Sequence, residues 1–109
     1  MVIWPATKRW MRGNPENCTA LTVPDDSMLP AASKGDLVIV EHGVDPEKIH
    51  DRLCAVRHEE KMFVRRIVKK GALLGVPENK LLSDFNDQIL SLTEKNIIGV
   101  VIGWISSAF

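Results

Sequence analysis

Short apolar segments rich in β-branched residues recur along most of this chain, and residues typical of turns separate them. Lys34-Gly35 precedes one segment, and His58-Glu59-Glu60 lies between two others. This alternation is typical of an all-β domain. The predicted strands cover residues 20–23, 36–41, 52–57, 61–69, 72–76, 88–92 and 97–106. The predicted fold class is therefore mostly β, a compact domain of short and mainly antiparallel strands.

The composition limits the classes of function. The chain has 109 residues, which suits one domain with one modest core. Lys+Arg and Asp+Glu both number 14, so the formal net charge is zero. A domain that binds nucleic acid by itself usually has a clear basic excess. No apolar run approaches the ~20 residues of a membrane helix, so no membrane partner is expected.

The cysteines and histidines indicate no metal site. Cys18 and Cys54 are expected to be reduced thiols, because no export signal is visible and the expected location is the cytoplasm of a bacterial host. His42, His50 and His58 are scattered, and the chain has no C-x-x-C pair. We expect neither a metal nor a cofactor.

The first part of the chain differs from the rest. Residues 1–18 show no periodicity and contain Trp4 and Trp10, so we predict a linker or arm there and one domain over 19–109. Two hypotheses fit the tryptophans. Either the arm packs on its own domain, or it joined a preceding domain and docks its tryptophans on this domain or a neighbour.

The segment Asp26-Ser27-Met28-Leu29-Pro30, followed by Gly35-Asp36 and a β-branched strand, resembles the nucleophile segment of LexA-type (peptidase S24-type) self-cleaving repressors and signal peptidases. Pro77-Glu78-Asn79 and the closing strand from Ile97 resemble later landmarks of that family, so the resemblance covers about residues 19–105. It implies a LexA-like antiparallel β-domain that self-associates behind a DNA-binding helix-turn-helix domain. In that family a serine attacks a peptide bond and a lysine takes its proton.

Arg65 stands where the family has its lysine. A guanidinium stays protonated and has no lone pair to accept a proton, so it cannot replace a neutral lysine as base. Lys61 and Lys69 are each four residues away along a strand, roughly 13 Å, which is too far to serve Ser27. The chain also lacks the Ala-Gly or Cys-Gly bond at which family members cut themselves. We therefore expect no catalytic residues, with Ser27 and Arg65 as vestigial positions.

The environment of Arg65 has two open alternatives. It either forms an ion pair or hydrogen bonds inside the former active site, with Asp26 as a candidate partner, or it is exposed on an edge strand. The cluster Arg65, Arg66, Lys69 and Lys70 could contact DNA phosphates, but the zero net charge favours a solvated hairpin face.

The closing strand is the predicted oligomer interface. Its apolar residues fall on both faces, and a strand that is apolar on both faces is buried on both. In so small a domain, a second subunit is a candidate to cover one face. The predicted interface comprises Ile98, Val100, Ile102, Trp104, Phe109, Trp4 and Trp10.

These observations favour a non-enzymatic self-association domain of a temperate-phage repressor of the non-cleavable kind, forming a homodimer and higher oligomers. Its expected partners are further copies of itself, operator DNA through an N-terminal domain absent from this sequence, and an antirepressor protein that releases it. Linking weak DNA-binding modules raises affinity without new DNA contacts. The alternatives are a self-cleaving peptidase that uses Ser27, and a protein-binding module without self-association.

Overall fold

The structure is a computed structural model that describes residues 17–106. Seven strands in this part of the chain form one antiparallel sheet in the order β1-β2-β7-β3-β4-β5-β6. The strands are β1 (Cys18–Thr22), β2 (Leu37–Glu41), β3 (Leu53–His58), β4 (Lys61–Lys70), β5 (Ala72–Val76), β6 (Leu90–Leu92) and β7 (Ile97–Ile105). Helical structure here is limited to short 3₁₀ turns. The prediction of a mostly β, mainly antiparallel domain is confirmed.

The ends of the predicted strands agree with the observed ones to within one residue, except at two ends. The strand expected over 88–92 begins at Leu90, because Phe85–Gln88 forms a 3₁₀ turn. The first strand already begins at Cys18, inside the predicted arm. Trp4, Trp10 and Phe109 lie outside the described residues. No helix within residues 17–106 is long and apolar enough to cross a membrane.

Two apolar clusters form the core on opposite faces of the sheet. The split is clearest on β3, where Ala55 belongs to one cluster while its neighbours Cys54 and Val56 belong to the other. This alternation follows from the two-residue period of a strand. Cys54 is fully buried and unpaired, as expected for a small core residue, and burial raises the pKa of its thiol to about 12.

Two bulges interrupt the alternation along β7. The register with β2 shifts between Ile39 and Val40, and the register with β3 shifts between Ala55 and Val56. Each shift leaves one residue of β7 unmatched. As a result Ile98 and Val101 pack on one cluster, whereas Val100 and Ile102 pack on the other. The expectation that Ile98, Val100 and Ile102 share a face is therefore wrong, because bulges reverse the parity of a strand.

Gly99 lies in this irregular part of β7. A Cβ on it would come within 2.3 Å of the Glu41 carbonyl oxygen on β2. The close approach of the two strands thus requires a residue without a side chain.

A two-residue turn joins β3 to β4. His58 pairs with Lys61, and both intervening residues, Glu59 and Glu60, have positive φ angles of 51° and 67°. Such a pair of left-handed residues is typical of the type I′ turn, which matches the twist of a hairpin. The hairpin predicted at His58-Glu59-Glu60 is confirmed, and it fixes which β4 side chains point to each face.

Candidate functional site: a buried Asp25–Ser27–Arg65 network

The Asp25–Pro30 turn places Ser27 inside the molecule, where the residue is 4% exposed. The Ser27 backbone N–H donates to Asp25 Oδ1 at 3.0 Å, and its hydroxyl donates to the same oxygen at 2.5 Å. These bonds form a local Asx-type turn, in which an aspartate accepts from the backbone two residues later. The direction of the Ser27 hydroxyl is therefore set by Asp25.

Arg65 projects from the middle of β4 and is 0% exposed. Its Nη1 donates to Ser27 Oγ at 2.6 Å and to the Val64 carbonyl oxygen at 2.8 Å. Its Nε and Nη2 donate to the carbonyl and side-chain oxygens of Gln88 at 3.1 and 3.0 Å. No buried side-chain nitrogen or oxygen in residues 17–106 lacks a hydrogen-bond partner. The four bonds offset part of the cost of taking a charge out of water.

The charge on Arg65 is disfavoured by burial and favoured by two neighbouring groups, Asp25 and the Phe63 ring. Burial lowers the pKa of its guanidinium, and the nearby Asp25 opposes that shift. The guanidinium carbon also lies 5.1 Å from the centre of the Phe63 ring, within the range of a cation–π interaction. Because an arginine keeps its proton even when buried, the network contains a permanent cation beside Ser27.

Gly75 on β5 makes room for the stem of Arg65. A Cβ at position 75 would lie 3.1 Å from Arg65 Cβ, 3.2 Å from Arg65 Cγ and 3.0 Å from Leu92 Cδ1. These distances are tighter than ordinary carbon–carbon contacts, which are near 3.5–4.0 Å. The glycine is thus part of the site, although it contributes no chemistry.

The loop Pro77–Asn79 is hydrogen-bonded to the backbone of the serine turn. The Ser27 carbonyl oxygen accepts from the backbone N–H groups of Glu78 and Asn79 at 3.0 and 2.8 Å. Asn79 Nδ2 donates to the Asp26 carbonyl oxygen at 3.0 Å. Two motifs about fifty residues apart in the sequence therefore meet at this site.

Asp26 is not the partner of Arg65. Its Oδ1 accepts from the Lys34 backbone N–H at 2.9 Å, so its side chain closes the turn on the other side. Of the two alternatives for Arg65, hydrogen bonding in the interior beside Ser27 is confirmed, but the candidate partner was wrong. Asp25 is the carboxylate that interacts electrostatically with Arg65.

Arg66, the next residue on β4, lies in a different environment. Its Nε bonds a Glu78 carboxylate oxygen, and its Nη1 donates to the Asp51 carbonyl oxygen at 2.7 Å and lies 3.7 Å from Asp51 Oδ1. The predicted basic cluster is therefore dispersed. Arg65 is buried and Arg66 is ion-paired, so only Lys69 and Lys70 remain exposed on this strand end.

Within residues 17–106, no lysine or histidine side chain is hydrogen-bonded to Ser27. Its hydroxyl donates to Asp25 and accepts from Arg65, and an aspartate carboxylate is a far weaker base than a neutral lysine amine. Lys61 and Lys69 both lie at exposed ends of β4. A serine hydroxyl without a base is a poor nucleophile. Within residues 17–106, no group of three or more His, Cys, Asp or Glu residues is placed to hold a metal ion.

The residues predicted to form an interface are not equivalent in the structure. Val100 is 1% exposed and packs inside the chain, so it has no surface to offer a second subunit. Ile98 and Ile102 are half-buried on opposite faces. Trp104 is 59% exposed at the end of β7, opposite Val38. Among the described residues of that set, Trp104 presents the most apolar surface.

Three residues of the network were not identified from the sequence: Asp25, Gln88 and Gly75. No pattern in the sequence connected Asp25 with Arg65, and Gln88 was predicted only as the start of a strand. Gly75 had a usable signal, since a glycine inside a strand often marks a close approach of neighbouring atoms. Nothing in the sequence connects Gln88 with Arg65, because their meeting depends on how β5 and β6 return along the sheet.

Comparison with known proteins agrees with this geometry. No match to the chain was found among curated proteins. The family model described as Peptidase S24-like matches residues 4–102, which includes the Ser27 turn, β4 and the Pro77–Asn79 loop. Nearly the whole described fold lies within that match, and this chain belongs to the Peptidase S24-like family.

Proposed function

We propose that this chain is the self-association domain of a LexA-like transcriptional repressor, and that it has no peptidase activity. Arg65 carries the second part of the proposal, because its Nη1 lies 2.6 Å from Ser27 Oγ, at the position that a lysine base occupies in the family pattern. The repressor would be of the temperate-phage, non-cleavable kind. It would be released from DNA by another protein, because self-cleavage requires a base that this site lacks.

The proposed inactivity is supported by how completely the site is occupied. The Ser27 hydroxyl already donates to Asp25 and accepts from Arg65, and Arg65 also donates to Gln88. These bonds occupy the groups that a substrate or a proton acceptor would need. A guanidinium that donates to a hydroxyl oxygen cannot also remove its proton. The network thus serves as a link between the serine turn, β4 and the turn that precedes β6.

The proposed self-association is supported by Trp104, which is 59% exposed at one end of the β2–β7 strand pair. Its register partner is Val38, so these two side chains share a face of the sheet, whereas the 39% exposed Leu37 pairs with Ile105 and lies on the opposite face. A large apolar side chain in water is typical of an interaction surface. A second copy of the chain is the occupant that the repressor architecture requires, because dimers match two-fold symmetric operators.

Sedimentation equilibrium from micromolar to hundreds of micromolar protein tests the self-association. We expect a reversible dimer, and we expect Trp104→Ala to weaken it by about 30-fold or more, as for a central interface aromatic. Leu81→Ala is the matched control, since Leu81 is 94% exposed on a loop far along the chain from β7. A wild-type chain that stays monomeric throughout would refute the proposal and favour a module that binds another protein.

A separate measurement tests the absence of peptidase activity. We expect the wild-type chain to remain intact during long incubation at about pH 10, where lysine bases of this kind become neutral. We also expect no labelling of Ser27 by a fluorophosphonate. Slow cleavage or labelling that disappears in Ser27→Ala would show that the serine is active.

A further inference from the structure

The two hairpins at the ends of β4 carry charges of opposite sign. The acidic tip is Glu59-Glu60, immediately before β4, and the basic tip is Lys69-Lys70, at its end. All four residues are exposed. A strand of ten residues spans roughly 30 Å, so the two tips cannot meet within one copy.

A groove of about 700 Å³ lies beside the acidic tip, between the β3–β4 hairpin and the turn Phe85–Gln88. Three carboxylates line it, from Asp25, Glu59 and Asp87, and the facing basic groups are Lys61 and the half-buried His58. Asp25 is engaged with Ser27, so Glu59 and Asp87 are the carboxylates available to an incoming cation. The apolar part of the groove includes Met62, Phe63 and Leu90.

The basic tip has the complementary shape and charge. Lys70 pairs with Ala72 across the single residue Gly71, which has a φ of 71°, so the chain turns back sharply and the tip is convex. Neither lysine side chain takes part in an ion pair within residues 17–106. The acidic residue that lines the same surface depression as Lys69 is Glu94.

We propose that the basic tip of one copy docks in the acidic groove of a second copy. Lys69 and Lys70 would face Glu59 and Asp87, while the stems of the lysines lie against the apolar part of the groove. This contact rests on the proposed self-association and extends it beyond a dimer. It is a head-to-tail contact that leaves each assembly with a free tip and a free groove, so copies add until a ring closes or a chain continues.

Charge reversal with rescue by mixing tests the contact. We expect the wild-type chain to form species larger than a dimer at about 50 mM salt and to return to the dimer at about 500 mM, where exposed charges are screened. The double variants E59K/D87K and K69E/K70E should each stay at the smaller mass. An equimolar mixture of the two should restore the large species, because each then offers the tip that the other accepts. K34E/K80E reverses two exposed lysines elsewhere and should assemble like the wild type.

The possible outcomes separate the head-to-tail contact from the proposed dimer interface at Trp104. A dimer at high salt that never grows at low salt, or a mixture that does not restore assembly, would overturn the head-to-tail contact alone. Loss of assembly in K34E/K80E would also overturn it, since net charge rather than the tip would be responsible. Salt-sensitive growth from monomers without a dimer at high salt would support the tip contact and refute the Trp104 interface.

Discussion

Arg65 and Arg66 are adjacent on β4 and differ in almost every respect. Arg65 is 0% exposed and donates to a hydroxyl, two carbonyl oxygens and an amide oxygen. The side chain of Arg66 is 35% exposed and bonds two carboxylate-bearing residues, Glu78 and Asp51. The better-solvated arginine therefore has the charged partners, and the buried one has mainly neutral partners.

From this difference we expect burial, more than the charge of the partner, to decide how much each arginine contributes to stability. An exposed ion pair contributes little because water already solvates both charges. A buried cation depends on every acceptor around it, and the acceptors in turn depend on the cation. The comparison predicts a ranked series of effects on stability.

The largest effect is expected for Arg65→Ala. It leaves Ser27 and Gln88 without their donor and opens a cavity, so the free energy of unfolding should fall by about 3–5 kcal/mol. Urea denaturation followed by tryptophan fluorescence measures this. A loss of stability no larger than that of Arg66→Ala would contradict the expectation that the buried arginine contributes more than the exposed one.

Arg65→Lys should cost less, about 2–3 kcal/mol. A single ammonium can donate to Ser27, but it cannot also supply the planar fork that reaches both oxygens of Gln88. The same denaturation experiment checks this, with Gln88→Ala in both backgrounds. If the lysine variant behaves like the wild type, Gln88 contributes nothing to holding the arginine.

Gly75→Ala should lower stability by about 1–2 kcal/mol, because the new methyl group crowds the stem of Arg65. Gly103→Ala is the matched control on β7, since a Cβ there meets no atom within 4 Å. The crowding should be relieved only in part when Gly75→Ala is combined with Arg65→Ala, because alanine keeps the Cβ at 3.1 Å and removes only the atoms beyond it. Additive losses in the double variant would mean that Leu92 or the Cβ at position 65, and not the rest of the Arg65 stem, is the obstacle.

The smallest effect is expected for Arg66→Ala, a loss under about 1 kcal/mol that shrinks further at high salt. Measuring the same variant at low and high ionic strength separates the two arginines. The loss in Arg65→Ala should stay nearly constant, because buried groups are screened little by salt. A salt-independent loss for Arg66→Ala would show that its packing matters more than its ion pairs.

Most of the fold could be predicted from the sequence because its signals are local. The β-branched segments and the turn residues between them predicted all seven strands, with differences of two residues only at the starts of β1 and β6. The closing strand was the exception in detail, since its two bulges depend on how β7 fits between β2 and β3. Strict alternation therefore grouped Ile98 with Val100 and Ile102, whereas the structure places Ile98 on the opposite face.

The site could be predicted only in part. The pairing of Ser27 with Arg65 followed from a resemblance in pattern, and the structure places the two side chains in direct contact. The choice between Asp25 and Asp26 could not be made, because adjacent residues in a turn have no fixed periodicity. Gln88 could not be predicted as a partner of Arg65, because the chain brings the two residues together through a return that no local pattern encodes.

The two-residue turn at Glu59-Glu60 limits which mutations this chain can accept during evolution. A turn of two residues cannot absorb an extra or a missing residue. Gaining or losing one there would therefore shift β4 by one position against β3. Arg66 would then enter the interior and Arg65 would face outward, away from Ser27 and Gln88. Substitutions at the turn are open to the chain, whereas single-residue insertions or deletions would dismantle the buried network from about six residues away.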